Sequence, residues 1–257
     1  MILRETSGIK FYEFPGLNRY PSVFHGFFTR HGGFSKPPYH TLNVAFKVGD
    51  NPADVAKNVK KIRKMLQGRL IWVNQDHGCK IIIIDKHYLE TCNQNIPPEA
   101  DAIITSEPGV ALMIKVADCQ AIFLFDRVKN VIANIHCGWR GNVNEIIKKT
   151  VDTMKKTFKS DPRDVIATIS PSLGPCCGEF KGYRELLPAH FHGYRVGVNH
   201  FDFWKISREQ LIKAGISEKN IEIAGMCTVC GNNHFFSYRK EKITGRCAAV
   251  IMLKEKE

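Results

Sequence analysis

An apolar run that passes through a glycine-containing turn into a helical pattern constrains the fold of this chain more than any other feature. Residues 131–135 are typical of a buried strand, and the apolar positions between 143 and 158 recur at helical spacing. Between them, residues 136–141 carry a His, a Cys, a Trp and an Arg beside two glycines. Backbone N–H groups at a helix start are unpaired, so α/β proteins often place binding groups at such turns. This segment predicts an α/β fold with its functional groups near the turn.

Short apolar segments along the whole chain predict further strands and helices. The expected strands cover residues 23–29, 70–73, 81–84, 101–105, 110–116, 121–125, 165–169, 221–224, 234–239 and 247–253. Helices are expected from Asn51-Pro52 onward, where the apolar face is Val55, Val59, Ile62 and Leu66, and over 183–192 and 206–214. With neither repeats nor linkers, the pattern predicts mixed β-sheets flanked by helices, an α/β (α+β) fold in one domain over residues 1–257.

The charge and cysteine content of the chain indicate which partners it can bind and in which cellular compartment it is expected. The formal net charge of +12 favours anionic ligands, but the basic residues are scattered, so we do not expect nucleic acid as a partner. Residues 1–14 contain no apolar stretch typical of a signal peptide, and Lys115 and Asp118 interrupt the apolar run 110–125, so no membrane association is expected. The nine cysteines are then expected to be reduced thiols of a cytoplasmic protein, either a monomer or a homodimer.

Three residues with metal-binding side chains each stand where an apolar strand meets a turn: His77, Cys119 and His136. If their strands are neighbours in a sheet, the three side chains converge at one end of it. Two imidazoles and a thiolate suit Zn²⁺ and leave a fourth position open to water or substrate. The residues alone fit equally well a Cys–His hydrolase in which Cys119 or Cys137 is the nucleophile.

Two other features concern buried charge and the remaining cysteines. Asp118 lies inside an apolar stretch, so its carboxylate requires a nearby donor or cation. Residues 227–230 form a C-x-x-C motif, but a zinc ribbon needs a second suitably spaced pair. The adjacent Cys176 and Cys177 are not expected to supply that pair; a redox-active pair or a soft metal site are alternatives for them, and buried thiols are the prediction.

Six motifs occur in an order that closely resembles the YfiH/laccase-domain family, and the likeness covers about residues 20–253. They are residues 74–78, 100–105, 116–119, 135–141, 174–177 and 235–239 with 244–246, and residues 29–33 and 42–44 extend the match toward the N-terminus. The chain departs from the usual family pattern at Asp76, Lys115, Cys137 and Gly178, and none of these changes removes a metal ligand.

The resemblance implies one mixed α/β domain with a metal site formed by His77, Cys119 and His136. Family members are described as zinc-dependent purine nucleoside phosphorylases with adenosine deaminase and methylthioadenosine phosphorylase activities. Older labels call them multicopper polyphenol oxidases or laccases, and some bacterial members are named peptidoglycan editing factors. The expected reaction converts adenosine, inosine, guanosine or methylthioadenosine and phosphate to free base and ribose 1-phosphate. Zn²⁺ is the expected cofactor, with Cu²⁺ as the alternative.

Phosphorolysis requires cations beside the ribose C1′, and Arg30 and Arg140 are the predicted phosphate holders. Asp118 is predicted either to carry a proton to the departing purine or to orient a metal ligand. These three are the predicted catalytic residues. Trp139 and Tyr238 are candidates for stacking on the base, although core packing is the default expectation for each. The predicted substrate- and phosphate-binding set is Arg30, His31, Asn43, Gln75 and Arg140.

Three other functions are kept as alternatives. One is an amidase or hydrolase acting on cell-wall peptide precursors with Cys119 as the nucleophile. Another is a copper polyphenol oxidase, which is disfavoured because a trinuclear copper cluster needs many histidines and only His77 and His136 occupy motif positions. The last is a basic nucleotide- or RNA-binding module without turnover.

Overall fold

The computed structural model describes residues 1–92, 96–231 and 233–255, which form two six-stranded β-sheets stacked face to face. The strands are β1 Ile2–Thr6, β2 Ile9–Glu13, β3 Val23–Phe28, β4 Arg69–Trp72, β5 Ile81–Ile83, β6 Ala102–Thr105, β7 Val110–Val116, β8 Gln120–Asp126, β9 Val131–Cys137, β10 Val165–Ile169, β11 Arg195–Val196, β12 His200–Phe201, β13 Ile221–Ile223 and β14 Cys247–Leu253. The helices are α1 Pro15–Asn18, α2 Pro52–Leu66, α3 Lys86–Thr91, α4 Trp139–Val143, α5 Ile146–Phe158, α6 Tyr183–Leu186, α7 Phe203–Lys213 and α8 Tyr238–Glu241. Short 3₁₀ turns occupy Phe46–Val48, Pro162–Asp164, Ala189–Tyr194 and Glu218–Asn220.

Both large sheets are mixed. The first has the order β1-β2-β3-β14-β7-β4, antiparallel except for the parallel pair of β4 and β7. The second has the order β13-β10-β8-β9-β6-β5, with parallel pairs at both edges. Strands β11 and β12 form a separate two-stranded ribbon. The predicted α/β (α+β) class with mixed sheets and flanking helices is therefore confirmed, while the prediction of a single domain over residues 1–257 stays a prediction.

Alternation along the central strands explains the layered packing. In β9, Ile132 packs into the core between the two sheets, whereas its neighbours Val131 and Ala133 pack beneath α5 and α7 on the other face. The outer face of the first sheet is covered by α2 in the same way. Asn134 joins the sheets, because its Nδ2 donates to the carbonyls of Leu112 on β7 and Ala249 on β14.

Helix α2 begins where its sequence predicts. The Asn51 side chain accepts the N–H of Ala53, and Pro52 occupies the first helical position, where its missing N–H costs nothing. Val55, Ile62 and Leu66 are buried against the first sheet.

Three predicted elements differ from the structure. Residues 234–239 do not form a strand, because Ser237 accepts the N–H of Lys240 and starts α8 instead. The helix expected over 183–192 stops after Leu186, and Pro188 precedes a 3₁₀ turn. The helix expected between 143 and 158 is divided into α4 and α5 at Glu145, which has a φ of 56°. In the described part of the chain, none of the helices has the length and apolar character needed to span a bilayer.

Candidate metal centre

The three predicted metal ligands converge at one end of the two-sheet sandwich. His77 lies in the loop between β4 and β5, Cys119 in the turn between β7 and β8, and His136 near the end of β9. One ligand atom from each residue lies within 4.8 Å of the others. The convergence occurs across both sheets, since β4 belongs to the first and β9 to the second.

Strand register explains why Cys119 and His136 meet. In the β8–β9 pair, Gln120 is opposite Cys137 and Ala121 is opposite His136, so Cys119 stands beside the end of β9. His77 has a φ of 65°, and this left-handed turn brings its ring to 4.8 Å from that of His136, measured between centroids. His136 is 3% exposed and Cys119 half-buried, whereas His77 is exposed, so the group is accessible from the His77 side.

Asp101 is the residue that orders this group. Its Oδ1 lies 2.6 Å from Nδ1 of His136 and also accepts the backbone N–H of His77, while Oδ2 accepts that of Gly78. Asp101 is fully buried. An imidazole that donates Nδ1–H to a carboxylate presents an unprotonated Nε2, which is the arrangement found behind histidine metal ligands. Sequence reasoning did not assign Asp101 a role, although it lies within the motif at 100–105 and its acidic side chain directly precedes a buried strand.

The charges of Cys119 and His136 support one another. Burial raises the pKa of the Cys119 thiol, but the nearby His136 imidazolium outweighs it and lowers the pKa to about 6. Burial lowers the pKa of His136, but the Cys119 thiolate and then Asp101 raise it to about 9. Both pKa shifts favour a thiolate beside an imidazolium, and a divalent metal ion would displace the one proton that this pair shares.

A cavity of about 1080 Å³ opens at this group. Its wall combines metal-binding, aromatic and basic side chains from both sheets and the connecting loops. Trp139, Phe180 and Tyr238 line it, and Tyr238 is 54% exposed. The core-packing expectation is thus wrong for Tyr238. Pockets that bind drug-sized ligands usually enclose about 300–1,000 Å³, so this cavity is large enough for such a ligand.

Four cations line the same cavity, and none of them was predicted to bind phosphate: Lys47, Lys115, Arg239 and Arg246. Burial, together with the nearby Lys47, lowers the pKa of Lys115 to about 8. Burial also lowers the pKa of Arg246. Arg239 donates from Nη1 to the Glu179 carbonyl, which fixes its side chain at the wall. Clustered cations of this kind carry a desolvation cost that an anionic ligand relieves.

The carboxylate of Asp118 has the hydrogen-bond donors that its position in an apolar stretch requires, and both of its oxygens accept from them. Its Oδ1 accepts from the hydroxyls of Thr228 and Ser237, and its Oδ2 accepts the N–H of Arg239 at 2.6 Å. A carboxylate with three donors holds the start of α8 in place. The residue seen behind a metal ligand is Asp101, whereas Asp118 lines the cavity and holds α8, so the roles predicted for Asp118 stay predictions.

The structure contradicts the phosphate-holding role predicted for Arg30. The side chain is 4% exposed and lies outside the cavity wall. Its Nη1 is 2.6 Å from Oε1 of Glu241, and its guanidinium stacks on Phe236. Arg30 consequently joins β3 to α8. Arg140 is exposed and does not line the cavity, although its guanidinium stacks on Trp139, which does; its role stays a prediction.

The other predicted binding residues are mostly structural. Asn43 is buried and holds backbone, since its Oδ1 accepts the N–H groups of Ala45 and Arg246. Gln75 lines the cavity, but its amide is paired with both backbone groups of Lys115. His31 packs beside His234 outside the cavity. Asn43 and Gln75 therefore position the cations Arg246 and Lys115 rather than contact a ligand through free groups.

The prediction that Cys176 and Cys177 supply no partner for the C-x-x-C motif is wrong. Their sulfurs and those of Cys227 and Cys230 all lie within 4.8 Å of one another. Cys176 is exposed and Cys177 half-buried, so the prediction of buried thiols is also wrong. The pairing depends on contacts between loops more than 50 residues apart, as the separation between Cys177 and Cys230 shows, and local sequence carries no signal for it.

The sequence of this chain is similar to those of known proteins over most of its length. A family model described as "Multi-copper polyphenol oxidoreductase laccase" matches residues 24–254. A purine nucleoside phosphorylase of Bacteroides thetaiotaomicron is 30% identical over 256 residues, covering 93% of this chain and 95% of that protein. The purine nucleoside phosphorylase YfiH of Escherichia coli K12 is 31% identical over 234 residues, covering 88% and 91%.

Solved structures agree over nearly the whole chain. The YfiH protein of Bacillus licheniformis superposes with a TM-score of 0.86 at 27% identity, covering 98% of this chain and 99% of that one. YlmD of Geobacillus stearothermophilus gives a TM-score of 0.86 at 29% identity, with 98% of each chain covered.

Proposed function

This chain belongs to the family described as multi-copper polyphenol oxidoreductase laccase, whose similar members are named purine nucleoside phosphorylases, and on that basis we propose that it is a zinc-dependent purine nucleoside phosphorylase. One observation carries the proposal: a group of two imidazoles and one thiolate faces a cavity that is also lined by cations and aromatic rings. Phosphate, ribose and a purine need these three environments side by side.

The donor set fits zinc. His77, Cys119 and His136 offer two nitrogens and one sulfur, with Asp101 behind His136, and exposed His77 leaves one side open. Three protein ligands with an open position are typical of catalytic zinc sites. A zinc ion bound here supplies Lewis-acid stabilisation of negative charge that develops on the substrate. The low Cys119 pKa, about 6, favours the thiolate that zinc requires, while zinc must still displace the proton that His136 holds with a pKa of about 9.

We assign phosphate binding to Arg239, Arg246 and Lys115. All three line the cavity with Lys47, and two of them are held by backbone contacts, Arg239 through the Glu179 carbonyl and Arg246 through the Thr244 carbonyl. Fixed guanidinium groups bind phosphate oxygens at little entropic cost. In phosphorolysis, a phosphate oxygen bonds to the ribose C1′ while the bond from C1′ to the purine nitrogen breaks. The cations orient phosphate for that attack.

Aromatic side chains on the cavity wall are the proposed binding site for the purine base. Trp139 and Tyr238 lie on the cavity wall, and Trp139 packs edge-to-face on Phe180 with centroids 6.5 Å apart. An exposed ring such as Tyr238 loses water when a flat purine stacks on it. We propose adenosine, inosine, guanosine and methylthioadenosine as substrates together with phosphate, and adenosine deamination as a further activity of the same site. No nucleic acid or membrane partner is proposed.

The test joins metal content to turnover. Purified chain is supplied with inosine and phosphate, and hypoxanthine and ribose 1-phosphate are measured alongside zinc by mass spectrometry. Cys119→Ala and His136→Ala should each lose about one zinc ion per chain together with turnover, whereas Cys92→Ala, at a half-buried cysteine outside the cavity, should keep both. Ammonia release from adenosine tests deamination in the same samples. Full phosphorolysis by a variant that has lost the zinc ion of the His77 group would overturn the proposal.

One observation favours a second function. The lowered pKa of Cys119 beside His136 is the arrangement of a thiol nucleophile and its imidazole partner, as in a cysteine amidase or hydrolase. Iodoacetamide distinguishes the two functions. A zinc ligand is protected by the metal, so alkylation should require prior chelation. A nucleophilic thiol is inactivated equally with and without zinc.

Laccase chemistry is not proposed. The described ranges 1–92, 96–231 and 233–255 contain two groups suited to a metal ion, one with two histidines and a cysteine and one with four cysteines. A trinuclear copper cluster needs a larger set of histidines than either group offers. Copper at the His77 group remains an alternative metal, and the metal analysis above distinguishes it from zinc.

A further inference from the structure

We propose that Cys176, Cys177, Cys227 and Cys230 bind a structural zinc ion that fastens two cavity-forming loops together. This four-thiol cluster shares no residue with the His77 group. It does not depend on the proposed phosphorylase activity.

Sulfur geometry distinguishes a metal site from disulfides. The Sγ atoms of Cys177 and Cys230 are 3.4 Å apart, and those of Cys176 and Cys230 are 3.7 Å apart. A disulfide bond is about 2.0 Å long. With Zn–S bonds of about 2.3 Å, the edges of a tetrahedral site measure about 3.8 Å. The four sulfurs, all within 4.8 Å of one another, are thus spaced for a tetrahedral ion.

The backbone around Cys227 is built to hold a thiolate. The N–H of Gly174 donates to its sulfur at 3.4 Å. A backbone donor to this sulfur balances negative charge of the kind that a coordinated thiolate carries. Gly231 follows Cys230 directly, and a Cβ there would lie 2.8 Å from the Cys227 carbonyl oxygen. Only glycine allows so tight a turn after the second cysteine.

The two loops already meet as backbone, which brings the cysteine pairs together. Ser172 forms a parallel bridge with Cys227, its N–H donates to the Met226 carbonyl, and its own carbonyl accepts from Thr228. Gly174 fits between Trp204 and Cys227, where a Cβ would lie 2.8 Å from the indole ring. Vicinal cysteines on one loop and a C-x-x-C turn on the other therefore face each other.

The four-thiol cluster also stands behind the cavity. Thr228, inside the C-x-x-C turn, donates to Asp118, the residue before Cys119. Asp118 in turn accepts the N–H of Arg239, which lines the cavity. Zinc bound by the cluster fixes this chain of contacts. A four-thiolate set with no open position is typical of structural zinc, and soft sulfur ligands select zinc over magnesium or calcium.

Metal stoichiometry tests the proposal on the whole chain. The wild-type protein, purified under reducing conditions, should contain about two zinc ions per chain. Cys177→Ser/Cys230→Ser should retain about one, and Cys119→Ala should also retain about one because each variant empties a different site. Cys92→Ser is the matched control, since it removes a free thiol outside both groups and should keep about two. The cluster variant should also melt at a lower temperature than Cys92→Ser.

Cobalt substitution keeps the test decisive if the double variant does not fold. In the wild-type chain, Co²⁺ should give intense sulfur-to-metal charge-transfer absorption together with tetrahedral ligand-field bands, as four thiolates require. In Cys119→Ala, which lacks the other site, the four-thiolate absorption should persist, and only the smaller contribution of the single Cys119 thiolate should be lost. A Cys119→Ala chain that holds no zinc, or cobalt absorption that disappears with Cys119→Ala, overturns the proposal. So does a chain that carries disulfides among these cysteines after purification with reductant.

Discussion

Nδ1 of His136 lies 2.6 Å from Oδ1 of Asp101, and that same oxygen accepts the backbone N–H of His77. One buried carboxylate thus sets the tautomer of one candidate metal ligand and the backbone position of another. Because His136 is 3% exposed and Asp101 fully buried, neither group can exchange this contact for water.

We predict that Asp101→Asn weakens zinc binding by about 10- to 100-fold, because the amide supports the wrong imidazole tautomer and carries no charge. Zinc affinity is measured by competition with a chromophoric chelator. Asp161→Asn provides the control, since Asp161 is a partly exposed aspartate that pairs with Arg163 and does not line the cavity. Equal zinc affinity in Asp101→Asn and the wild-type chain would show that Asp101 only supports the fold.

Arg246 and Arg140 distinguish the structural assignment of phosphate binding from the sequence-based one. Arg246 lines the cavity, while Arg140 does not. A charge-assisted contact contributes about 1.5–3 kcal/mol, so Arg246→Gln should raise the KM for phosphate by about 10- to 100-fold. We expect a smaller rise for Arg140→Gln. Steady-state kinetics at saturating nucleoside provide the measurement, with exposed Arg163→Gln as the control. A larger effect at Arg140 would restore the sequence-based assignment.

The lowered pKa of Lys115 leads us to predict that phosphate binding depends on pH. Burial beside Lys47 lowers its pKa to about 8, so the ammonium charge is present below this pH and is lost above it. If phosphate binds the charged form, the KM for phosphate should rise by about tenfold per pH unit above pH 8. Lys115→Arg keeps its charge at high pH and should flatten this rise. Lys148→Arg, at an exposed ion pair with Asp152, should leave the wild-type profile unchanged. A profile of Lys115→Arg identical to that of the wild-type chain would exclude Lys115 as the titrating group.

Individual strands were predictable because each coincides with a short run of apolar residues in the sequence. Strands β7, β8 and β9 lie close to the predicted bounds, and the turns after them carry Cys119 and His136 as expected. The hairpin of β1 and β2 was missed, since β1 is mostly exposed and shows no apolar face. Local period also cannot say which sheet a strand joins, so the position of His77 across the two sheets was not predictable.

Charged groups were the least predictable part of the candidate site. Arg30 and Arg239 both follow aromatic residues near glycines or serines, yet one is paired with Glu241 and the other lines the cavity. The difference depends on where loops separated by some 200 residues pack, as the Arg30–Glu241 contact shows. Residue type and spacing do not encode such contacts, whereas they do encode the metal ligands, which stand at strand ends.

The corrected role of Arg30 can be tested through stability. Arg30→Met should lower the free energy of unfolding by about 2–4 kcal/mol, because it leaves the half-buried Glu241 carboxylate without its partner. Glu241→Gln should also destabilise the fold, since it leaves the buried guanidinium unpaired. Urea unfolding of both variants provides the measurement, and Arg4→Met, at an exposed pair with Glu13, is the control. The KM for phosphate of folded Arg30→Met should stay within about twofold of wild type. A specific rise in KM without loss of stability would instead place Arg30 at the ligand.

His25 predicts how stability changes in mild acid. The side chain is 1% exposed, and its Nε2 accepts the N–H of Phe14 at 2.7 Å, so the folded state requires the neutral imidazole. Burial lowers its pKa to about 4, against an ordinary value near 6.5 in the unfolded chain. Between these pH values the unfolded state binds a proton that the folded state excludes, so stability decreases as the pH falls.

The loss attributable to His25 should reach about 3 kcal/mol by pH 4. His25→Gln keeps an acceptor for Phe14 and cannot titrate, so its stability should decline less between pH 6.5 and 4.5 than that of the wild-type chain. Urea unfolding of both proteins at the same zinc concentration removes the separate effect of acid on the His77 group, because that effect is common to the two. If the stability of both proteins declined in parallel, His25 would not be held neutral in the folded state. Its contact with the N–H of Phe14 would then have to open, because a protonated Nε2 cannot accept that N–H.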